Sequence, residues 1–299
     1  MLAKAKEKGF TMILVMWATT LISVIAVSFI ASSKTVTKSA THISSDVKYK
    51  SIAFAVLNMS MLELMSPKIS KQWIPPVRNR DFNWNGYRVR IEIDAESGKI
   101  DLNHSPKIIL LGIHEQFFDV QKSKHLVDAL MDWKDKDDRQ QKFGAEDEEY
   151  ISAGYAYTPR NKQFLSTKEL KTVFGYGQLD QLDLLLPHLT VYSKRSRANF
   201  FHSSQEVLSA IPGLTNDTIR RILEFRDTIN SNQAKTLVPK SSQRYFDFQN
   251  RFNTVAIKLS IVGESGDRNF QQIIVKFNSN RTRFRIVDWQ ITNLLTEDA

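Results

Sequence analysis

Hydrophobic positions in this chain follow three successive rhythms. From Phe10 to Ala31 (FTMILVMWATTLISVIAVSFIA) there is no charge at all. Lys4, Lys6 and Lys8 precede the run, and Lys34 is the next charged residue. A membrane-crossing helix needs roughly 20 mainly apolar residues at about 1.5 Å each. The run is long enough, and it predicts one span over 10–33. The second rhythm is helical. Ile43, Val47, Phe54, Leu57, Met61 and Met65 recur at three-, four- or seven-residue steps, with no Pro or Gly between Gly9 and Pro67. The span is therefore expected to continue as one helix over 34–66. Pro67, Pro75 and Pro76 end it. The third rhythm is alternation. Tyr87–Asp94 (YRVRIEID) predicts a half-buried strand, and Lys99–Leu102 a returning one after Glu96-Ser97-Gly98. Strands return near 253–262, 270–277 and 283–291.

Between these strands the pattern turns helical. Short helices are predicted near 106–116, 120–133, 146–152, 167–174, 178–186, 204–211 and 216–228. Ser105-Pro106 reads as a helix start and Ser166-Thr167-Lys168-Glu169 as a capping box. Residues 229–250 are Ser/Gln-rich and read as a loop. The economical fold is α+β. A long N-terminal helix lies on an antiparallel sheet, and an all-helical block over 103–230 is inserted into that sheet domain, whose parts are 67–102 and 231–299.

Charge and composition narrow the chemistry. The 299 residues carry a net charge of +9 with no cysteine. That removes thiol catalysis, cysteine-ligated zinc and disulfides. The six histidines show no ligand spacing. No Gly-rich nucleotide loop, nucleophile elbow or zinc motif is present, so an enzyme is not expected. Two stretches stand out. Asp132-Trp133-Lys134-Asp135-Lys136-Asp137-Asp138 and Gly144-Ala145-Glu146-Asp147-Glu148-Glu149 lie in an interval, 132–149, that holds eight acids against four bases (Lys134, Lys136, Arg139 and Lys142). Crowded carboxylates repel, and calcium takes six to eight oxygens from such loops. Asp135, Asp137, Asp138, Glu146 and Asp147 are the candidate ligands, against the plainer reading of a solvated acidic loop. An EF-hand is excluded, because Arg139 takes the next alternate position. The second stretch, Ile211-Pro212-Gly213-Leu214 between two helical patterns, resembles a helix-hairpin-helix. Its Arg220, Arg221 and Arg226 are candidate phosphate contacts for DNA. The plainer reading is a compact helical pair built on Leu208, Ile211, Leu214, Ile219, Leu223 and Phe225. A degenerate second copy is read at Glu169–Gly177.

The N-terminal stretch admits a plain anchor, a secretory signal or a prepilin leader. Lys8-Gly9-Phe10-Thr11 resembles a prepilin cleavage site, although Leu14 stands where pilins usually carry glutamate. With Ile100-Asp101-Leu102-Asn103, the acidic segment, Tyr157-Thr158-Pro159-Arg160-Asn161, Leu189-Thr190-Val191-Tyr192-Ser193 and Ile211-Pro212-Gly213-Leu214, the order of motifs resembles the type II secretion system minor pseudopilin K family. Asn199-Phe200-Phe201-His202-Ser203 departs from that family's usual entry into the last helices.

The resemblance implies a structural subunit that caps and initiates a periplasmic pseudopilus for protein export. It implies a leader over 1–9, cleavage after Gly9 by prepilin peptidase and methylation of Phe10. The partners it implies are minor pseudopilins I and J, with H, and no nucleic acid. Their helices would pack along Leu14, Ile43, Val47, Phe54, Leu57 and Met61. It implies a single pass through the bacterial inner membrane, N-terminus cytoplasmic and globular part periplasmic, and it favours calcium (Ca2+) in the acidic loop. The alternative function is a membrane-tethered DNA receptor.

Overall fold

The computed structural model describes the backbone of residues 3–66, 73–263 and 266–294. Within these, the side chains of 3–9, 34–45, 78–79 and 292–294 are outside the description. The chain divides into two units, 1–58 and 59–299.

Helix α1 runs uninterrupted from Ala3 to Met65, over 63 residues. Phe10–Ser33 is long and apolar enough to cross a membrane, and none of it is buried within the chain. The hydroxyls of Thr19, Thr20 and Ser23 are satisfied by the helix itself. Thr20 donates to the Met16 carbonyl (2.7 Å) and Ser23 to that of Thr19 (2.8 Å). Such back-bonding is what a hydroxyl needs where no water is available.

In the second unit, a five-stranded antiparallel sheet has the order β1-β2-β7-β8-β9. Strand β1 (Val77–Trp84) is absent from the sequence expectation. It turns into β2 (Tyr87–Ala95) through Asn85-Gly86, both at positive φ, and Trp84 faces Tyr87 across the turn. This is the two-residue Asn-Gly hairpin, a signal present in the sequence. The predicted return strand at 99–102 does not pair with β2. Glu96–Gly98 coils into a 3-10 turn instead, and β3 (Ile100–Asp101) leaves the sheet. The long strands β7 (Thr254–Val262), β8 (Arg268–Phe277) and β9 (Phe284–Leu294) lie where alternation predicts them. Strand β7 pairs β2, so the helical block does interrupt one sheet.

The block contains α2 (Lys107–His114), α3 (Val120–Lys134), α4 (Asp147–Ser152), a 3-10 turn at Thr167–Thr172, α5 (Leu182–Leu185), α6 (Gln205–Ser209) and α7 (Asn216–Phe225). Its apolar cluster runs from Ile100 to Phe248, past the expected end at 230. Residues 229–250 are not a loop: α8 (Ser231–Leu237) starts at an Asn230/Gln233 capping box. Ala234, Val238, Phe246 and Phe248 are buried behind its polar surface. Two parallel two-residue ladders close the block. Strand β3 pairs β4 (Leu189–Thr190), and β5 (Ala198–Asn199) pairs β6 (Phe246–Asp247).

Candidate functional site

Helix α3 presents Asp128 and Asp132 four residues apart, on one buried face. Both accept amides from the loop that follows. Phe143 N donates to Asp128 Oδ2 (3.1 Å) and Gln141 N to Asp132 (3.0 and 3.2 Å). Gly144 passes so close that a Cβ there would stand 1.8 Å from Asp132 Oδ2. Burial pushes the Asp132 carboxyl up to about 6. Amide hydrogen bonds from Gln141 and Ala145 oppose the rise, and the charges of Asp135 and Asp128 add to it. Asp128 and Asp132 thus shape the acidic loop.

The expected ligands divide. Asp135 Oδ1 and both Glu146 carboxylate oxygens are buried without a hydrogen-bond partner, and so is Asn161 Oδ1. Asn161 Nδ2 donates to Asp138 Oδ1 (3.0 Å), which ties it to the same cluster. Burial pushes Glu146 up to about 7, with the charges of Asp132, Asp135, Asp138 and Asp147 adding to the effect. Burial also raises Asp135, reinforced by Asp137. Asp137 itself is exposed and accepts from Arg139 N, closing its own turn. Asp147 is exposed in the first turn of α4. Among the described residues, no three acidic or histidine side chains are already gathered as a metal cage. Like charges hold such groups apart until a cation neutralises them. The orphaned donors are all hard oxygens, the chemistry calcium takes. Asn161 was not among the expected ligands. It lies 23 residues from Asp138, and no local pattern marks it.

A second buried carboxylate is fully engaged. Asp101 Oδ1 accepts from the Asn103 and His104 amides (3.0 and 3.1 Å) and lies 2.9 Å from His104 Nδ1. Its Oδ2 accepts from Ser193 Oγ and Lys194 N, each at 2.8 Å. Asn103 exchanges two hydrogen bonds with the Phe164 backbone. Lys134 donates to the Leu102 carbonyl (2.6 Å), and burial pulls its ammonium down to about 8. Ser105 accepts from Asp101 N rather than capping α2.

The helix-hairpin-helix is present as α6, the Pro212-Gly213 turn and α7. Its core is Leu208, Ile211, Ile219 and Ile222, whereas Phe225 is 41% exposed and Leu223 half-buried. Arg226 turns inward and donates to the Ser203 carbonyl (2.6 Å). Arg220 pairs with Asp217 (2.5 Å), and Arg221 is exposed. Two of the three candidate DNA contacts are thus engaged by the protein. The expected second copy is not a helix pair. It is the 3-10 turn at Thr167–Thr172, where Glu169 accepts from Leu165 N (2.9 Å) and contacts Arg160. Ser166 caps that turn through Lys168 N, so only half of the predicted box forms.

Of the expected partner-helix contacts, Leu14, Val47 and Phe54 are exposed, whereas Leu57 and Met61 are buried in this chain. Ile43 and Gly9 lie outside the described side chains.

Residues 111–194 match the family model described as type II secretion system (T2SS), protein K. That stretch holds the acidic loop, Asn161 and the Leu189–Lys194 segment. Among curated proteins, nothing matches the chain. The fold is similar to that of a chain in the crystal structure of the GspK-GspI-GspJ complex from the enterotoxigenic Escherichia coli type 2 secretion system. The TM-score is 0.60 at 15% identity, over 86% of this chain and 99% of that one. The resemblance to protein K read from the sequence is borne out, and the DNA-receptor alternative is not favoured.

Proposed function

We propose that this chain is a protein K-type minor pseudopilin of the type II secretion system, a structural subunit that caps and initiates the pseudopilus. The observation that carries the reading is a coincidence of two features in one chain. The protein K module over 111–194 is joined to a membrane-length apolar segment that continues, without a break, as helix to Met65. A pilin-type subunit needs such a helix, because it serves first as anchor and then as the packing element of a filament.

In this reading, prepilin peptidase cuts after Gly9 and Phe10 becomes the methylated N-terminus. The globular part lies in the periplasm of a bacterium whose inner membrane holds the span. The partners are pseudopilins I and J, with H. They pack along Phe10–Ile30 and the exposed positions Val47 and Phe54; Leu57 and Met61 serve the chain's own interior. Leu14, in place of the usual glutamate, leaves no carboxylate to pair with a neighbour's N-terminal amine, as suits a subunit at the tip. Calcium is bound by the orphaned oxygens of Asp135, Glu146 and Asn161, with Asp138 and Asp147 adjoining and Asp137 outside the cluster.

The test is the intact mass and N-terminal sequence of the protein from its native membrane. A chain starting at methylated Phe10 is expected, together with loss of processing in Gly9→Ala. A chain starting at Met1 despite active prepilin peptidase would overturn the reading.

A further inference from the structure

One part of the sheet surface is used by nothing described so far. Alternation sends Val89, Ile91 and Ile93 of β2 to the buried face and Arg88 and Arg90 to the other. The register carries the second face across the sheet. Arg88 lies opposite Val262, which lies opposite Arg268. Arg90 lies opposite Ser260, which lies opposite Phe270.

The helical block reaches this face at the neighbouring rows. There Tyr192 donates to Asp288 Oδ2 (2.8 Å), and Lys258, Gln272 and Gln290 line a cleft with Tyr192 and Leu189. Beyond those rows, Asp81, Arg88, Arg90, Ser260, Val262, Arg268 and Phe270 line a depression of about 400 Å³, and every one of them is a sheet residue. Its charges are three arginines against one aspartate. Asp81 takes Arg90 through two hydrogen bonds (2.8 and 3.0 Å). Among the described residues, Arg88 and Arg268 have no ion-pair partner, and both are exposed. Between them lie an apolar side chain, Val262, a hydroxyl, Ser260, and the half-buried ring of Phe270.

We propose that this depression docks an extended acidic segment of a protein partner. Each guanidinium would take a carboxylate in its two-pronged fork, and an apolar side chain of the partner would lie on Val262 and Phe270. Charge complementarity selects the occupant, since arginine forks match carboxylate geometry. Spacing selects its form. Arg88 and Arg268 are two strand separations apart, roughly 10 Å. An extended chain of the polyproline II kind rises about 3.1 Å per residue and returns a side chain to the same face every three residues, so acids at positions one and four, with apolar residues between, fit best.

The probe is a labelled ten-residue peptide with a Glu-Leu-Phe-Glu core, and its Gln-Leu-Phe-Gln counterpart is the control. Both are titrated into the full-length protein in non-ionic detergent. The glutamate peptide is expected to bind at least tenfold more tightly than its control and to weaken with salt. Arg88→Gln/Arg268→Gln should remove that difference. A matched double loss of charge elsewhere, Lys124→Gln/Lys240→Gln, should keep it, with circular dichroism confirming that both variants fold. Equal affinity for the two peptides would overturn the proposal, as would an unchanged affinity in the arginine variant. Displacement of the peptide by millimolar glycerol phosphate would also overturn it, by assigning the depression to phosphate or a lipid headgroup.

Discussion

Asp101 and Glu146 are both buried carboxylates of the helical block, and they stand at opposite limits. Asp101 is 0% exposed and ringed by donors from Asn103, His104, Ser193 and Lys194. Glu146 is 7% exposed, and although its carboxylate stands as N-cap over the first turn of α4, neither of its oxygens has a hydrogen bond of ordinary geometry. Burying a charge costs several kcal/mol unless hydrogen bonds or an opposite charge compensate. Asp101 is compensated by its own chain and so reads as architecture: it ties β3 to the Ser193–Lys194 segment. Glu146 is compensated only by taking up a proton or a cation, and so reads as a site.

The comparison can be broken at either end. The largest effect is expected at Asp101. Asp101→Ala leaves the Ser193 hydroxyl and three amides without their acceptor, and should cost roughly 3–5 kcal/mol in denaturant unfolding. A loss below about 1 kcal/mol would remove its architectural role. The next effect concerns the cation. Calcium at a hundredfold excess over its Kd should stabilise the wild type by about 2.7 kcal/mol and raise its Tm. Glu146→Gln/Asp135→Asn should abolish that response with little loss of stability in EDTA. Equal calcium stabilisation of wild type and variant would show that the orphaned oxygens are not the ligands.

The smallest effect is the pH dependence without metal. Glu146 moves from the ordinary range near 4.5 in the unfolded chain to about 7 in the folded one, so the folded state holds the extra proton. Its contribution is fully present below about pH 4.5 and is lost as the pH rises through about 7. In EDTA, the wild type should lose about 2 kcal/mol relative to Glu146→Gln across that window, the roughly 3.4 kcal/mol of the full shift being reduced by solvent screening at a loop that borders water. Asp132, up at about 6, acts in the same direction. Buried His114, down at about 4, acts in the opposite one. Only the difference between wild type and Glu146→Gln isolates the loop. Parallel pH profiles would count against an uncompensated Glu146.

The sheet and the site differ in how far the sequence reveals them. Strand β2 could be placed because it alternates over eight residues, enough to define a buried face, and β7, β8 and β9 because each is a run rich in Val, Ile, Leu and Phe bounded by polar turns. Strand β1 escapes this pattern, although Asn85-Gly86 carries the hairpin signal, because Arg78, Arg80 and Asp81 mask its alternation. Helix α8 was masked in the same way by serines and glutamines, while its Asn230/Gln233 box stood in plain view. The acidic loop was legible as a density of like charge. Its division into engaged and orphaned carboxylates was not, because nothing along the chain separates Asp132, which holds Gln141, from Asp135, which holds nothing on Oδ1.

By itself, the sequence determined the features that depend on neighbours within a few turns or one strand. These are the unbroken helix through the span, the long strands of the sheet, the succession of short capped helices and the concentration of acid between 132 and 149. Only the tertiary structure decided which polar groups meet. Asp101 finds Ser193 across 92 residues and Asn103 finds Phe164 across 61. Arg226 folds in on Ser203, and Arg88 and Arg268 come to share one face. The physical reason is the range of the forces involved. Propensity, capping and periodicity act between residues already joined by the chain, whereas a buried hydrogen bond exists only once packing has brought its two ends together and excluded water.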